Sequence, residues 1–321
     1  MNEKTLINDL RPGDKVVSFF VLRKKEIKTK RDSNETYLSL ELGDASGRIK
    51  GTLWDDAQKF FDDLQVGDIV KTKGVVINFK DRPHLTIEKI RKAVNKDEYD
   101  MSQLIPVIEK DRDALFLHLD ELIEGVQNPC LKQLLNLIFN DAEIRKGFGD
   151  APAGKLWHHN YLGGLLEHTL SVTEISDKVG QLYPGIDRDL LIAGGLLHDI
   201  GKIASYKYKP LIDYTDEGRL VGHIVIGAQL VSDKIKSINN FPKDLQTELI
   251  HLILSHQGKL EQASPVVPMT LEALILYYAD ELDSTANAFL RIIKKEKKSG
   301  AKWSSFVQLM NRYLYFGAEE D

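Results

Sequence analysis

Six residues of metal-ligating type stand at separate points in one stretch of the chain: His168, His198, Asp199, His223, His256 and Asp280. Seven of the nine histidines fall between His158 and His256, so the imidazoles are concentrated there. Neutral imidazole and carboxylate together suit Mn2+, Fe2+, Co2+ or Zn2+. The one cysteine, Cys130, excludes an internal disulfide and a cysteine-based zinc cluster. A ligand set without thiolate points to hydrolysis rather than a structural zinc.

Local context sharpens this reading. His198-Asp199 ends the apolar run Leu190–Leu197 and is followed by Ile200-Gly201-Lys202. A polar pair at the end of a buried helix needs a compensating partner, and a cation supplies one. Asp199 has two oxygens and can bridge two cations. Gly201 is expected to let the backbone turn sharply, and Lys202 to point a cation at a phosphate oxygen. His251 and His256 are five residues apart, on different faces of one helix, so only one is expected to be a ligand. His256, at the helix end in Ser255-His256-Gln257-Gly258, is the better placed. Asp280 and Asp283 share a face, and Asp283 is a candidate to hydrogen-bond a ligand from behind. His158 and His159, just before the helix of His168, are candidates to touch a phosphate or protonate a leaving group.

These residues must be held by helices. From about Glu109 onward, Leu115, Leu119, Leu122 and Ile123 recur at helical spacing, as do Leu131, Leu134, Leu135 and Ile138. Leu162, Leu165, Leu166 and Thr169 continue the pattern, and Leu190–Leu197 reads as a helix buried on most sides. Residues 244–254 and 271–282 add two more helices. The first part of the chain reads differently. Residues 16–22, 36–42 and 48–54 alternate as strands, residues 55–64 form a short helix with Phe60 and Phe61 inward, and residues 69–77 and 84–90 are strands again. Three strands, a helix and two strands is the order of an OB-fold barrel. The expected fold is therefore multi-domain: a small N-terminal OB-fold β-barrel at 1–92, a linker at 93–108 and an all-helical domain at 109–321.

Charge divides the same way. Residues 1–95 carry 19 Lys and Arg against 15 Asp and Glu, whereas the rest carries 24 against 33. A basic first part and an acidic second part fit a binding module joined to a metal-site module. Tyr37, Trp54 and Phe79 are the candidate platforms for stacked bases, with at least one of the three expected inside the barrel. Lys50, Lys80 and Arg82 are the candidate phosphate contacts. Arg23-Lys24-Lys25, Lys28, Lys30 and Arg31 are placed in the first hairpin loop as a backbone clamp. No run of about 18 apolar residues occurs and Met1–Lys4 lacks an apolar leader core, so no membrane association and a cytoplasmic location are expected.

The set His168, His198-Asp199, His223, His256 and Asp280 resembles the HD metal-dependent phosphohydrolase superfamily. Residues 157–169, Trp-His-His-Asn-Tyr-Leu-Gly-Gly-Leu-Leu-Glu-His-Thr, are similar to the YhaM-type exoribonucleases, as are Gly222-His223-Ile224 and residues 252–259. The resemblance covers nearly the whole chain. It implies an OB-fold followed by an HD domain, and 3′-to-5′ removal of nucleoside monophosphates from single-stranded RNA, with single-stranded DNA as a further substrate. It implies two divalent metal ions, Mn2+ preferred, with Fe2+, Co2+, Mg2+ and Zn2+ as alternatives. One would sit on His168, His198, Asp199 and Asp280, the other on Asp199, His223 and His256, with an activated water between them and Lys202 steadying the phosphate. Many relatives carry a second histidine where this chain has Gln257; with His256 retained, the expected effect is on outer hydrogen bonding or metal preference. Two other functions remain open from the residues: a phosphodiesterase of small or cyclic nucleotides, and a nucleic-acid-binding protein whose HD site is regulatory. The apolar content of residues 289–293 and 303–315 leaves a homo-oligomer as a further expectation.

Overall fold

The computed structural model describes residues 6–30, 33–80, 82–155, 157–208, 210–297 and 301–317. Arg31 of the basic run and the first four residues lie outside the described residues. The chain divides into two compact units, one of Met1–Val107 with Tyr208–Ile212, the other of Ile108–Lys207 with Asp213–Asp321.

The first unit is built on a closed barrel. Its elements are β1 (Lys15–Thr29), β2 (Thr36–Gly43), β3 (Arg48–Leu53), α1 (Ala57–Asp63), β4 (Ile69–Phe79) and β5 (Arg82–Lys92), in the spatial order β1-β2-β3-β5-β4. All pairs are antiparallel except β3 with β5, which is parallel. The strand period of two does the sorting. In β2, Leu38, Leu40 and Leu42 point into the barrel while Tyr37, Ser39 and Glu41 face outward. Phe20, Leu22, Val70, Val76 and Leu85 complete a fully buried interior, each contributing about 1.5–3 kcal/mol of transfer free energy. Closure needs bends. The register of β1 shifts between Leu22 and Lys24, and that of the β4–β5 pair between Lys73 and Gly74. A Cβ on Gly74 would lie 2.3 Å from the Thr86 carbonyl oxygen, so this bend accepts only glycine.

Two expectations change here. β1 runs on to Thr29, so Arg23, Lys24, Lys25 and Lys28 are strand residues rather than a loop clamp. The three lysines are also engaged: Lys25 donates to the carbonyls of Phe61 and Leu64 around the end of α1, and Lys24 and Lys28 both pair with Glu26. The segment read as a linker is not loose chain. The Tyr99 ring lies 5.2 Å from Phe19, the Gln103 carbonyl accepts from Ala45 N–H at 2.8 Å, and Leu104 and Ile105 are buried. Apolar residues after position 92 belong to the first unit, and the division falls between Val107 and Ile108.

The second unit is helical: α2 (Arg112–Gly125), α3 (Pro129–Phe139), α4 (Ala142–Asp150), α5 (Gly164–Gly180), α6 (Arg188–Leu197), α7 (Lys202–Ser205), a two-residue pair β6 (Tyr206–Lys207) and β7 (Asp213–Tyr214), α8 (Asp216–Leu220), α9 (His223–Lys236), α10 (Lys243–Ser255) and α11 (Leu271–Glu296). Side-chain oxygens of Asp111, Asn128, Asp141, Asp187, Thr215 and Thr270 accept from first-turn N–H groups, which sets where six of these helices begin. α6 is buried from Leu190 to Leu197 and packs against α3, α5, α10 and α11. Among the described residues no helix is long and apolar enough to cross a membrane.

Gly201 serves a different purpose from the expected turn. The chain does turn there, between α6 and α7, but with φ −65° and ψ −13° that any residue can adopt. A Cβ there would lie 2.0 Å from the His223 carbonyl oxygen and 2.5 Å from Gly227 N. The position needs glycine because the start of α9 presses against it.

Candidate functional site

Each predicted ligand sits in or at the end of a helix, and the helices bring all six together. His168 lies in α5, His198 and Asp199 follow α6, His223 opens α9, His256 follows α10 and Asp280 lies in α11. Asp199 is the centre. Its Oδ2 is 3.4 Å from Nε2 of both His168 and His198, while its Oδ1 is 3.4 Å from His223 Nε2 and 3.6 Å from His256 Nε2. Asp280 Oδ1 stands 3.1 Å from His168 Nε2. Three three-residue groups, His168/His198/Asp280, Asp199/His223/His256 and His159/His168/Asp283, each have one donor atom per residue within 4.8 Å of the others; in the third, both rings are already hydrogen-bonded to Asp283.

The far side of each ring explains why Nε2 points inward. His168 Nδ1 hydrogen-bonds Asp283 Oδ2, His198 Nδ1 the Gly195 carbonyl and His256 Nδ1 the Ile253 carbonyl, all at 2.7 Å. These acceptors require a proton on Nδ1, which leaves the Nε2 lone pair for the centre. Asp199 Oδ1, His223 Nε2 and His256 Nε2 are buried without a hydrogen-bond partner. Buried acceptors converging on one point with nothing to share fit a cation. The charges agree. Burial alone would push His168 below its ordinary value, but Asp199, Asp280 and Asp283 around it raise it well above. Burial drives His223 down to about 3, which keeps it in the neutral form that binds metal. Asp199 stays well below the usual carboxylate range despite burial, held there first by Lys202 and then by His198.

Lys202 is buried, and its ammonium sits on Asp199 Oδ2 rather than on an open surface. The sequence placed it on a phosphate; here it neutralises the central carboxylate. His159 also departs from the catalytic role expected of it. It is buried, with Nδ1 on the Tyr161 hydroxyl at 2.8 Å and Nε2 on Asp283 Oδ2 at 2.9 Å, so neither nitrogen is free for a substrate. His158 is the reverse: both ring nitrogens lack a partner, and its ring centre is 4.9 Å from that of His168.

α11 holds this loop. Asp280, Asp283, Asn287 and Arg291 recur at spacings of three and four and so share one face. Asp283 takes the His168 and His159 rings, Asn287 Oδ1 accepts from His159 N–H at 3.0 Å, and Arg291 donates to the Trp157 carbonyl at 2.7 Å. Both neighbours of His158 are thereby fixed. Asn287 and Arg291 were not singled out in the sequence, although polar residues seven and eleven positions past Asp280 would have marked the stripe had the helix been extended beyond Leu282. His251 is outside the centre: its Nε2 accepts from Met269 N–H at 2.9 Å.

On the barrel, none of the three candidate aromatics is interior. Trp54 and Phe79 are about half exposed and Tyr37 is half-buried. Tyr37 and Trp54 touch at 5.0 Å between ring centres, with the Lys30 ammonium 5.0 Å over Trp54. Phe79 lies 5.5 Å from the His84 ring, and Lys80 is 5.6 Å over Phe79. His84, which the sequence reading passed over, ties its pair to β3: it hydrogen-bonds Thr52 at 2.8 Å and is the register partner of Lys50. The result is an outward strip over β2, β3, β5 and β4, with exposed Lys50 and Arg82 along it.

Two family models match separate parts of the chain. Residues 165–285 match the family model described as an HD domain, and residues 21–93 match that of an OB-fold nucleic acid binding domain. Among solved structures, the second OB-fold domain of replication protein A from Methanococcus maripaludis is 23% identical, with a TM-score of 0.23, covering 30% of this chain and 98% of its own. A replication protein A heterotrimer bound to single-stranded DNA is 17% identical, with a TM-score of 0.21, covering 30% and 69%. The HD domain of the L. monocytogenes phosphodiesterase PgpH is 19% identical, with a TM-score of 0.30, covering 49% and 84%. The chain thus joins an N-terminal OB-fold barrel to a helical HD domain.

Proposed function

We propose that this OB-fold and HD-domain protein is a metal-dependent phosphodiesterase that removes nucleotides from the 3′ end of single-stranded RNA, and of single-stranded DNA as a second substrate. The observation that carries the reading is Asp199, whose two oxygens each face a different pair of imidazoles inside a buried centre. His168, His198, Asp280 and Asp199 would hold one divalent ion, and Asp199, His223 and His256 a second. Two such ions, Mn2+ by the sequence resemblance, would make a water more acidic and stabilise charge on the phosphoryl and leaving oxygens.

The chain's own groups supply the rest. Asp283 and the Gly195 and Ile253 carbonyls hold three imidazoles in the donor tautomer. Lys202 keeps Asp199 ionised. His158 is a buried imidazole beside the centre with both nitrogens unpartnered, and we assign it to a phosphate or leaving oxygen. The polymer part of the reading rests on the outward aromatic strip of the barrel with Lys50, Lys80 and Arg82, a surface suited to stacked bases and their phosphates. Direction and monophosphate release rest on the resemblance to YhaM-type enzymes.

A 5′-labelled oligoribonucleotide incubated with Mn2+ should shorten stepwise from the 3′ end with release of nucleoside monophosphates. A 3′-blocked strand should resist. Turnover of cyclic nucleotides with intact oligonucleotides would replace this reading with a small-nucleotide phosphodiesterase.

A further inference from the structure

A second cluster of polar side chains lies along the wall of the metal centre. Tyr206 directly follows α7, whose first residue, Lys202, sits on Asp199. The Tyr206 and Tyr214 rings pack at 4.9 Å, and the Tyr206 hydroxyl donates to that of Tyr214 at 3.4 Å. Behind them one carboxylate oxygen, Asp213 Oδ1, is shared by two cations, Lys155 Nζ at 2.6 Å and Arg219 Nη2 at 2.9 Å. Both cations also lie within 6 Å of the Tyr214 ring centre, at 5.8 and 5.5 Å.

The cluster reaches the centre from its other end as well. Ala153 N–H donates to the His159 carbonyl at 3.2 Å, and Gly154 abuts the His158 carbonyl, so Lys155 leaves the loop that carries His158. His158 in turn packs on His168. The cluster is therefore bounded by Lys202 on one side and His158 on the other.

Its chemistry selects an anion with several oxygen acceptors. In direct contact, two cations meet one carboxylate, with Asp216 and Glu217 exposed at the start of the same short helix as Arg219. The Arg219 side chain is 55% exposed and that of Lys155 33%, so both are reachable. The two phenol oxygens are 3.4 Å apart, so at most one of their protons is committed between them and the other can meet an incoming acceptor. A guanidinium fork, an ammonium and a phenol match the oxygens of a phosphodiester backbone.

We propose that Lys155, Arg219 and Tyr214, positioned by Asp213 and Tyr206, grip the phosphates of the substrate nucleotides next to the scissile bond. This rests on the nuclease reading above. The test compares the wild type with Lys155→Ala/Arg219→Ala and with Asp213→Asn, all with Mn2+, on a labelled oligonucleotide and on bis(p-nitrophenyl) phosphate, a diester too small to span the wall. For the double variant, kcat/KM on the oligonucleotide relative to the small diester should fall at least tenfold. The loss should lie in KM, and the dependence of log KM on log salt should flatten by between one and two units, as for about two lost phosphate contacts. Asp213→Asn should move KM in the opposite direction, because it removes the charge that offsets the cations, and Arg219→Lys should recover part of the loss. Equal losses on both substrates, an unchanged salt dependence, or a higher KM for Asp213→Asn would overturn the proposal. Failure of the wild type to cut the oligonucleotide would instead sink the nuclease reading.

Discussion

Asp283 offers the sharpest test of how the centre is built, because it touches no proposed ion yet holds two imidazoles. It accepts from His168 Nδ1 at 2.7 Å and from His159 Nε2 at 2.9 Å. Asp283→Ala would strand two buried N–H groups at about 1–3 kcal/mol each, a large share of the total stability of a domain. Asp283→Asn is the cleaner perturbation: both rings meet the one oxygen Oδ2, so an amide oxygen in its place keeps the acceptor while the negative charge is lost. Loss of the carboxylate removes the charge that fixes His168 in the donor tautomer, an effect of roughly 10- to 100-fold on metal affinity, or about 1.4–2.7 kcal/mol. Titration with Mn2+, followed by the electron paramagnetic resonance of the free ion, measures it directly. Activity of Asp283→Asn should recover at high Mn2+, whereas that of Asp199→Ala should not, since the latter lacks the central ligand itself. Mn2+ affinity within threefold of wild type, or no recovery at saturating metal, would refute the assignment of Asp283 as the residue that orients His168.

Asp199→Ala should abolish cleavage but leave oligonucleotide binding by fluorescence anisotropy within a few fold; loss of both would mean that the barrel does not bind strands independently. Trp54→Ala and Phe79→Ala should each weaken that binding by about 1–3 kcal/mol while leaving Mn2+ titrations unmoved. Burial opposes a charged His168, but Asp199, Asp280 and Asp283 raise it well above its ordinary value, so the metal-free centre favours a proton there that a cation would displace. Calorimetry of Mn2+ binding in buffers of different ionisation enthalpy should therefore show release of about one proton, and none released would contradict the electrostatics. Glu167 is held at about 2 against the opposing effect of burial by His159, Lys110 and Tyr161. A depressed carboxylate stabilises the fold above its ordinary 4.5 and loses that contribution as pH falls toward 2, so Glu167→Gln should make Tm less steeply dependent on pH across that window.

The convergence of the candidate ligands was legible because some of them stand where polar residues rarely do: His198-Asp199 closes a run of buried leucines, and His256 closes another helix. The barrel was legible from strand order and alternation, as Leu38, Leu40 and Leu42 show. What the sequence hid was the partner of each ring. Gly195 and Ile253 act through carbonyls that every residue has, so nothing in their side chains announces the role. His159 and His158 look alike in sequence, and only packing separates the ring that is tied on both nitrogens from the one that is free. Gly201 was read as a turn because glycine usually marks one; the close approach of α9 depends on residues more than twenty positions away. His84 escaped notice because its neighbours Thr52 and Phe79 come from other strands.

The polar stripe on α11 makes this helix a shared ruler for the site. Asp280, Asp283, Asn287 and Arg291 work together only because each turn returns them to the same side. A single residue inserted between Asp283 and Asn287 would rotate everything beyond it by about 100°. The ion-facing carboxylate would stay where it is, while the contacts to the Trp157–His159 segment would swing away. Length changes in α11 should thus be far less tolerated than exchanges of its outward-facing side chains, and the spacing of this helix, more than any one residue on it, is what ties the loop of His158 to the centre.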